Sequence, residues 1–130
     1  MPEPCAFDYA VVRVVPRVER GEFLNAGVIV WCLAQDYLGA RVALDVSRLR
    51  ALDPRADVEA ISAHLAAVPR ICSGEPGAGP VAQLPLKERF HWLVAPRSTV
   101  IQTSPVHAGR AELPEAALAR LFKTLVEWGT

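Results

Sequence analysis

The sequence predicts an α+β domain: an antiparallel sheet of about four strands, with helices packed mainly on one face. Three observations carry this prediction. Three β-rich runs open the chain, and the connections between them are too short for a crossover. Segments with apolar residues at helical spacing follow. Only one further β-rich run interrupts those segments, and runs of strands followed by runs of helices mark α+β architecture rather than an alternating one. The expected sheet is an N-terminal three-strand meander plus one later strand.

Residues 8–16 read as the first strand, because β-branched residues dominate and Pro16 stops the run. Tyr9, Val11, Arg13 and Val15 share one face at the period of two. A charged turn over 17–22, with Gly21 free to take positive φ, joins it to a second strand over 24–34 as a hairpin. Gly27 inside that strand predicts a bulge or a close backbone approach. A turn over 35–39 leads to a third strand at 40–45.

Ser47 to Leu52 reads as a short helix. Asp53-Pro54 reads as an N-cap followed by Pro at the first helical position. Val58, Ile61, Leu65 and Val68 then stripe a helix that Pro69 should kink or end. Ser73 to Pro80 is a Gly/Pro-rich loop, and Leu86, Phe90 and Leu93 mark a short helix closed by Pro96. Residues 98–103 read as the fourth strand. A final helix starts at Leu113-Pro114-Glu115 and carries Leu118, Leu121, Phe122, Leu125 and Val126 on one face.

The 130 residues fit one domain over 1–130, and a 52% hydrophobic content is ample for a core. Fourteen basic and 14 acidic residues cancel, which removes any bulk attraction to nucleic acid or to an anionic membrane. No secretory signal opens the chain, and no run approaches the ~20 apolar residues of a membrane span. Cys5, Cys32 and Cys72 match no disulfide framework and are expected to be free thiols. Cytoplasm is the expected compartment.

Known catalytic signatures are absent from the sequence. Gly74, Gly77 and Gly79 lack the Gly-Lys-Ser/Thr ending of a phosphate-gripping loop, and neither a zinc-protease helix nor a nucleophile elbow occurs. His64, His91 and His107 lie far apart, so no metal site and no cofactor are expected. His64 reads as the edge of a helix face. Phe90-His91-Trp92 reads as core and boundary, with stacking on a ring as the functional alternative.

Two polar segments stand out. Arg13 is the one charge within the apolar run 9–16 of the first strand and faces Glu22 and Asn25 across the hairpin. It reads as a structural ion pair with Glu22, as an exit to solvent, or as an anion clamp. Residues 95–109 crowd Arg97, Ser98, Thr99, Gln102, Thr103, Ser104 and His107 around a short strand. These read as turn and cap chemistry, as a phosphate or anion site, or as a nucleophile and base pair. If the fourth strand pairs with the first or second, the segments become neighbours at ~5 Å, with Glu22 the internal acid between Arg13 and Arg97.

Tyr-Ala-Val-Val-Arg-Val-Val-Pro-Arg-Val-Glu-Arg-Gly-Glu-Phe-Leu-Asn-Ala-Gly-Val-Ile-Val-Trp (9–31) is similar to the opening of the bacterial family called domain of unknown function 3037. Arg-Phe-His-Trp-Leu-Val-Ala-Pro-Arg-Ser-Thr-Val-Ile-Gln-Thr-Ser-Pro-Val-His-Ala-Gly (89–109) resembles its second signature. The similarity spans nearly the whole chain. It implies recurrent polar positions at Arg13, Glu22, Asn25, Arg97, Ser98, Gln102 and His107. The chain departs from the pattern at Pro69, where similar proteins continue the helix. Genes of this family neighbour genes for kinases similar to the bacterial persistence toxin, so the resemblance implies such a kinase as a partner by association.

Two functional readings follow. The first is a non-catalytic interaction or regulatory module, a partner of a persistence-toxin-like kinase. The alternative is a small enzyme or a phosphate or anion binder that uses a conjoined Arg/Ser/His cluster. A module would expose an apolar patch or a sheet edge, whereas a ligand site would gather the polar groups at a concave pocket.

Overall fold

β-branched density at the start of the chain gives strand β1 at Cys5–Val14, and β2 runs over Leu24–Cys32. In this computed structural model, which describes residues 4–127, the two pair antiparallel through a 3₁₀ turn at Val18–Arg20. Gly21 ends that turn at φ +69°, a left-handed conformation that glycine takes without steric cost. Strand β3 (Tyr37–Val42) continues the meander on the far edge of β2. Strands β4 (Ile101–Thr103) and β5 (His107–Ala111) share the other edge of β1: β4 pairs with Val12–Val14, and β5 with Cys5–Tyr9. All pairings are antiparallel, and the sheet has five strands.

The register of β1 against β2 shifts between Val12↔Gly27 and Arg13↔Asn25, which leaves Ala26 as the extra residue of a bulge. The shift inverts the alternation of β2. Leu24 and Ala26 therefore share a face with Ile29 and Trp31 despite their parity. Gly27 sits at the same spot because a Cβ there would lie 2.7 Å from the Arg41 carbonyl oxygen and 2.8 Å from Val42 Cγ1. The bulge and the close approach expected at Gly27 are both present.

Four helices cover the sheet: α1 (Val46–Leu52), α2 (Val58–Ser73), α3 (Leu86–Val94) and α4 (Pro114–Leu125). The first three pack Leu49, Ile61, Leu65, Val68, Phe90 and Leu93 against Val12, Val14, Ile29 and Trp31. Helix α4 lies on the opposite face, where Ala117 and Leu118 meet Phe7, Val28, Val30 and Cys32. Both faces of β2 are thus covered, which explains why its sequence is a continuous apolar run rather than an alternating one. Val12, Val28 and Val30 are fully buried, and each such side chain contributes about 1.5–3 kcal/mol.

Several expectations need correction. Pro69 neither ends nor breaks α2, which runs on to Ser73 and stops at Gly74 in the left-handed region. Proline removes one hydrogen bond at a cost of about 3 kcal/mol, and burial of Ile61, Leu65, Val68, Ile71 and Cys72 outweighs it. Asp53 does not cap α2. It caps the end of α1 and accepts from the Arg55 N–H at 3.0 Å, while Asp57 is the N-cap and accepts from Ala60 at 3.0 Å. The third strand begins at Tyr37, not 40, because a tight turn with Asp36 at φ +51° closes the hairpin early. The first strand begins at Cys5 and ends at Val14, and the fourth is confined to Ile101–Thr103. The fifth strand was not expected: His-Ala-Gly-Arg-Ala has no β-branched residue and owes its form to pairing with β1. Among the described residues, no helix is long and apolar enough to cross a membrane.

Candidate functional site

Helix α3 stops at Val94 because Pro96 cannot continue it, and the chain then crosses to β4 through residues 95–100. This crossing, together with α2, α3 and the sheet, encloses a cavity of about 540 Å³. Its floor and walls are buried and apolar: Val12 and Ile29 from the sheet, Val68 and Ile71 from α2, and Leu93 from α3. Exposed side chains form the rim, among them Val18, His64, Trp92, Ser98 and Thr99. Arg97 completes the polar side, and Gln102 touches the lining from β4, where its register sets it opposite Arg13.

Arg97 is held in place by the end of α3. Its guanidinium carbon lies 4.5 Å from the centroid of the Trp92 ring. Its Nη2 donates to the Trp92 carbonyl, and its Nε donates to the Ala95 carbonyl at 3.3 Å. The ion pairs of the described residues join Arg17 to Glu19, Arg20 to Glu22, Arg48 to Asp45 and Arg70 to Glu75. None involves Arg97, so a positive charge faces the cavity with no carboxylate opposite it among the described residues.

The other polar groups of this segment mostly satisfy the backbone. Thr99 Oγ1 donates to the Ile101 carbonyl at 2.8 Å, and Gln102 Nε2 donates to the Thr99 carbonyl at 2.9 Å. Thr103 Oγ1 reaches the Val94 carbonyl at 3.4 Å and ties β4 to the end of α3. Ser104 is buried where β4 ends, and its Oγ accepts the Val11 N–H at 2.9 Å. That hydroxyl replaces a ladder acceptor lost where the chain leaves β1 before returning as β5.

Arg13 lies elsewhere. In register it is opposite both Asn25 and Gln102, and the two polar segments do become sheet neighbours there. Yet Arg13 shares its parity with Phe7 and Tyr9 on the α4 face, whereas Val12 and the cavity belong to the other face. Its guanidinium carbon sits 4.1 Å from the centroid of the Phe23 ring, and its buried Nε has no hydrogen-bond partner among the described residues. Glu22 does not reach it; that carboxylate is exposed and binds Arg20 at 2.6 Å. Asn25 Nδ2 donates to the Leu125 carbonyl at 3.1 Å and so anchors the end of α4. The His107 ring stacks 5.4 Å from that of Tyr9, four residues and roughly 13 Å along β1 from Arg13. The seven positions therefore divide: Arg97, Ser98 and Gln102 line the cavity, while Arg13, Glu22, Asn25 and His107 do not.

Two of the thiols are held in their neutral form. Burial pushes the Cys72 thiol up to about 12. The hydrogen bond shared with Cys32, with burial, raises that of Cys5, and the two sulfurs are 3.3 Å apart. Of the rim residues, Val18 was not singled out from sequence, His64 was read as the edge of a helix face, and Trp92 as boundary with ring stacking the alternative. His64 lies three residues after Ile61 and four before Val68, and this spacing was the available signal.

An antiparallel α+β sheet with an apolar cavity and a polar rim defines a chain with a ligand-sized site under its fourth strand. The chain belongs to the family described as Protein of unknown function (DUF3037), whose model matches residues 9–126. No curated protein and no solved structure matches it.

Proposed function

We propose that this chain is a non-catalytic binding module of the bacterial cytoplasm whose working site is the cavity under residues 97–103. It serves as an interaction or regulatory partner of a kinase similar to the bacterial persistence toxin. One observation carries the site. The cavity of about 540 Å³ falls within the range of small-molecule sites and pairs an apolar floor with hydrogen-bonding groups at one side. The non-catalytic reading is supported at the same rim, where the Thr99 hydroxyl is engaged by a backbone carbonyl rather than by a histidine base. The kinase rests on family association alone.

The test uses Ala67, a half-buried α2 residue that lines the cavity. Wild type should bind one equivalent of anilinonaphthalene sulfonate, an amphipathic anionic fluorescent dye, and Ala67→Trp should lose at least tenfold in affinity with an unchanged circular dichroism spectrum. Equal dye binding by both proteins would remove the cavity from the account. Retention of a purified persistence-toxin-like kinase on the tagged wild-type chain tests the partnership, and no retention would refute it.

A further inference from the structure

We infer that the ligand of this cavity is a small amphipathic carboxylate, with its apolar chain or ring on the wall formed by Val68, Ile71 and Leu93 and its carboxylate on Arg97. The inference rests on the reading of the cavity as the working site and adds the chemistry of its occupant.

Shape and polarity fix the apolar part. Val68, Ile71 and Leu93 keep a small accessible area and, with Ala67 and Ile101, form the apolar surface open to a ligand, above the fully buried Val12 and Ile29. A polar ligand placed there would lose hydration without finding a donor or acceptor, at a cost of several kcal/mol. An apolar one gains with each CH₂ it removes from water.

Charge fixes the other end. Among the described residues no Asp or Glu lines the cavity, so a cationic headgroup would meet Arg97 and no carboxylate. Arginine has five N–H groups, and Arg97 engages its Nε–H and one N–H of Nη2 on backbone carbonyls. The remaining N–H groups lie on Nη1 and Nη2, the end-on edge that a carboxylate grips with both oxygens. Stacking on Trp92 and the two carbonyls set this edge before any ligand arrives, and such preorganisation lowers the entropic cost of binding. Arg97 is the one Lys or Arg in the lining, which matches a single negative charge better than the double charge of a phosphate monoester.

The experiment is a charge series at constant chain length: decanoate, decanol, decyltrimethylammonium and decyl phosphate, titrated calorimetrically into the full chain and competed against anilinonaphthalene sulfonate. Decanoate should bind wild type at least tenfold more tightly than decanol. That preference should fall below threefold in Arg97→Gln, with decanol binding unchanged between the two proteins. Arg97→Lys should recover part of the preference, since it keeps the charge and loses the fork. Equal binding of decanoate and decanol by wild type would overturn the carboxylate assignment while leaving the cavity as a binding site. Tighter binding of decyl phosphate than of decanoate would overturn it in favour of a phosphate headgroup. If no member of the series binds or displaces the dye, the cavity reading fails with it.

Discussion

Arg97 is attached to Trp92 twice, once through the face of the indole at 4.5 Å and once through the carbonyl of the same residue. That carbonyl belongs to the last turn of α3, where a cation also complements the negative end of the helix. The arrangement stabilises the crossing from α3 to β4 as well as presenting a charge. Arg97→Gln should therefore lower stability by about 1 kcal/mol in urea unfolding, with no change in the slope of the transition. A loss several times larger would mean that Arg97 is chiefly a structural residue.

Ser104 is the buried polar residue at the junction of β4 and β5. Ser104→Ala removes the acceptor of the Val11 N–H and leaves that donor buried. Stability should drop by about 1–3 kcal/mol, and amide exchange at Val11 should accelerate. An unchanged exchange rate at Val11 would show that another group takes over as acceptor.

Cys72 makes stability depend on alkaline pH. Its folded thiol titrates near 12 against an ordinary value of 9.0, because burial disfavours the thiolate. The neutral form is favoured by folding, so this contribution is complete below pH 9 and is lost as pH rises from 9 towards 12. The limiting size is on the order of 4 kcal/mol. Unfolding free energy of the wild type should fall more steeply over that window than that of Cys72→Ala. Parallel profiles would show that Cys72 ionises without unfolding.

Arg13 carries a buried Nε without a partner and a charge that only an aromatic face meets among the described residues. Arg13→Met keeps the length of the side chain and removes the unsatisfied donor. It should leave stability unchanged or raise it by about 1 kcal/mol, and Glu22→Ala, at an exposed pair, should cost less than about 1 kcal/mol. A loss of 3 kcal/mol in either variant would reveal a buried network at this position.

The sheet was legible where local chemistry dictated it. The β-branched runs, the glycine turn at Gly21 and the apolar stripes gave the hairpin, the meander, the helices and the bulge at Gly27. What could not be read was set by partners distant in sequence. Strand β5 is a strand because Cys5–Tyr9 offers it an edge, and α2 passes Pro69 because its buried face outweighs one missing bond. The candidate site was half legible for the same reason. Arg97, Ser98 and Gln102 were picked out by polarity and do line the cavity. Parity sends Arg13 to the other face, and the turn gives Glu22 the nearer Arg20, neither of which composition reveals. Trp92 and His64 passed for helix boundary until the cavity gave them a common rim.

The central claim is that the side of the sheet covered by α1, α2 and α3, around Val12 and Ile29, is the binding side of this protein. A methyl-resolved NMR titration with decanoate tests it most directly. The account predicts saturable shifts at Val12, Ile29, Val68, Ile71 and Leu93, with Val28, Val30 and Leu118 on the α4 face unmoved. Shifts confined to the α4 face, or none at any of these methyls, would contradict it.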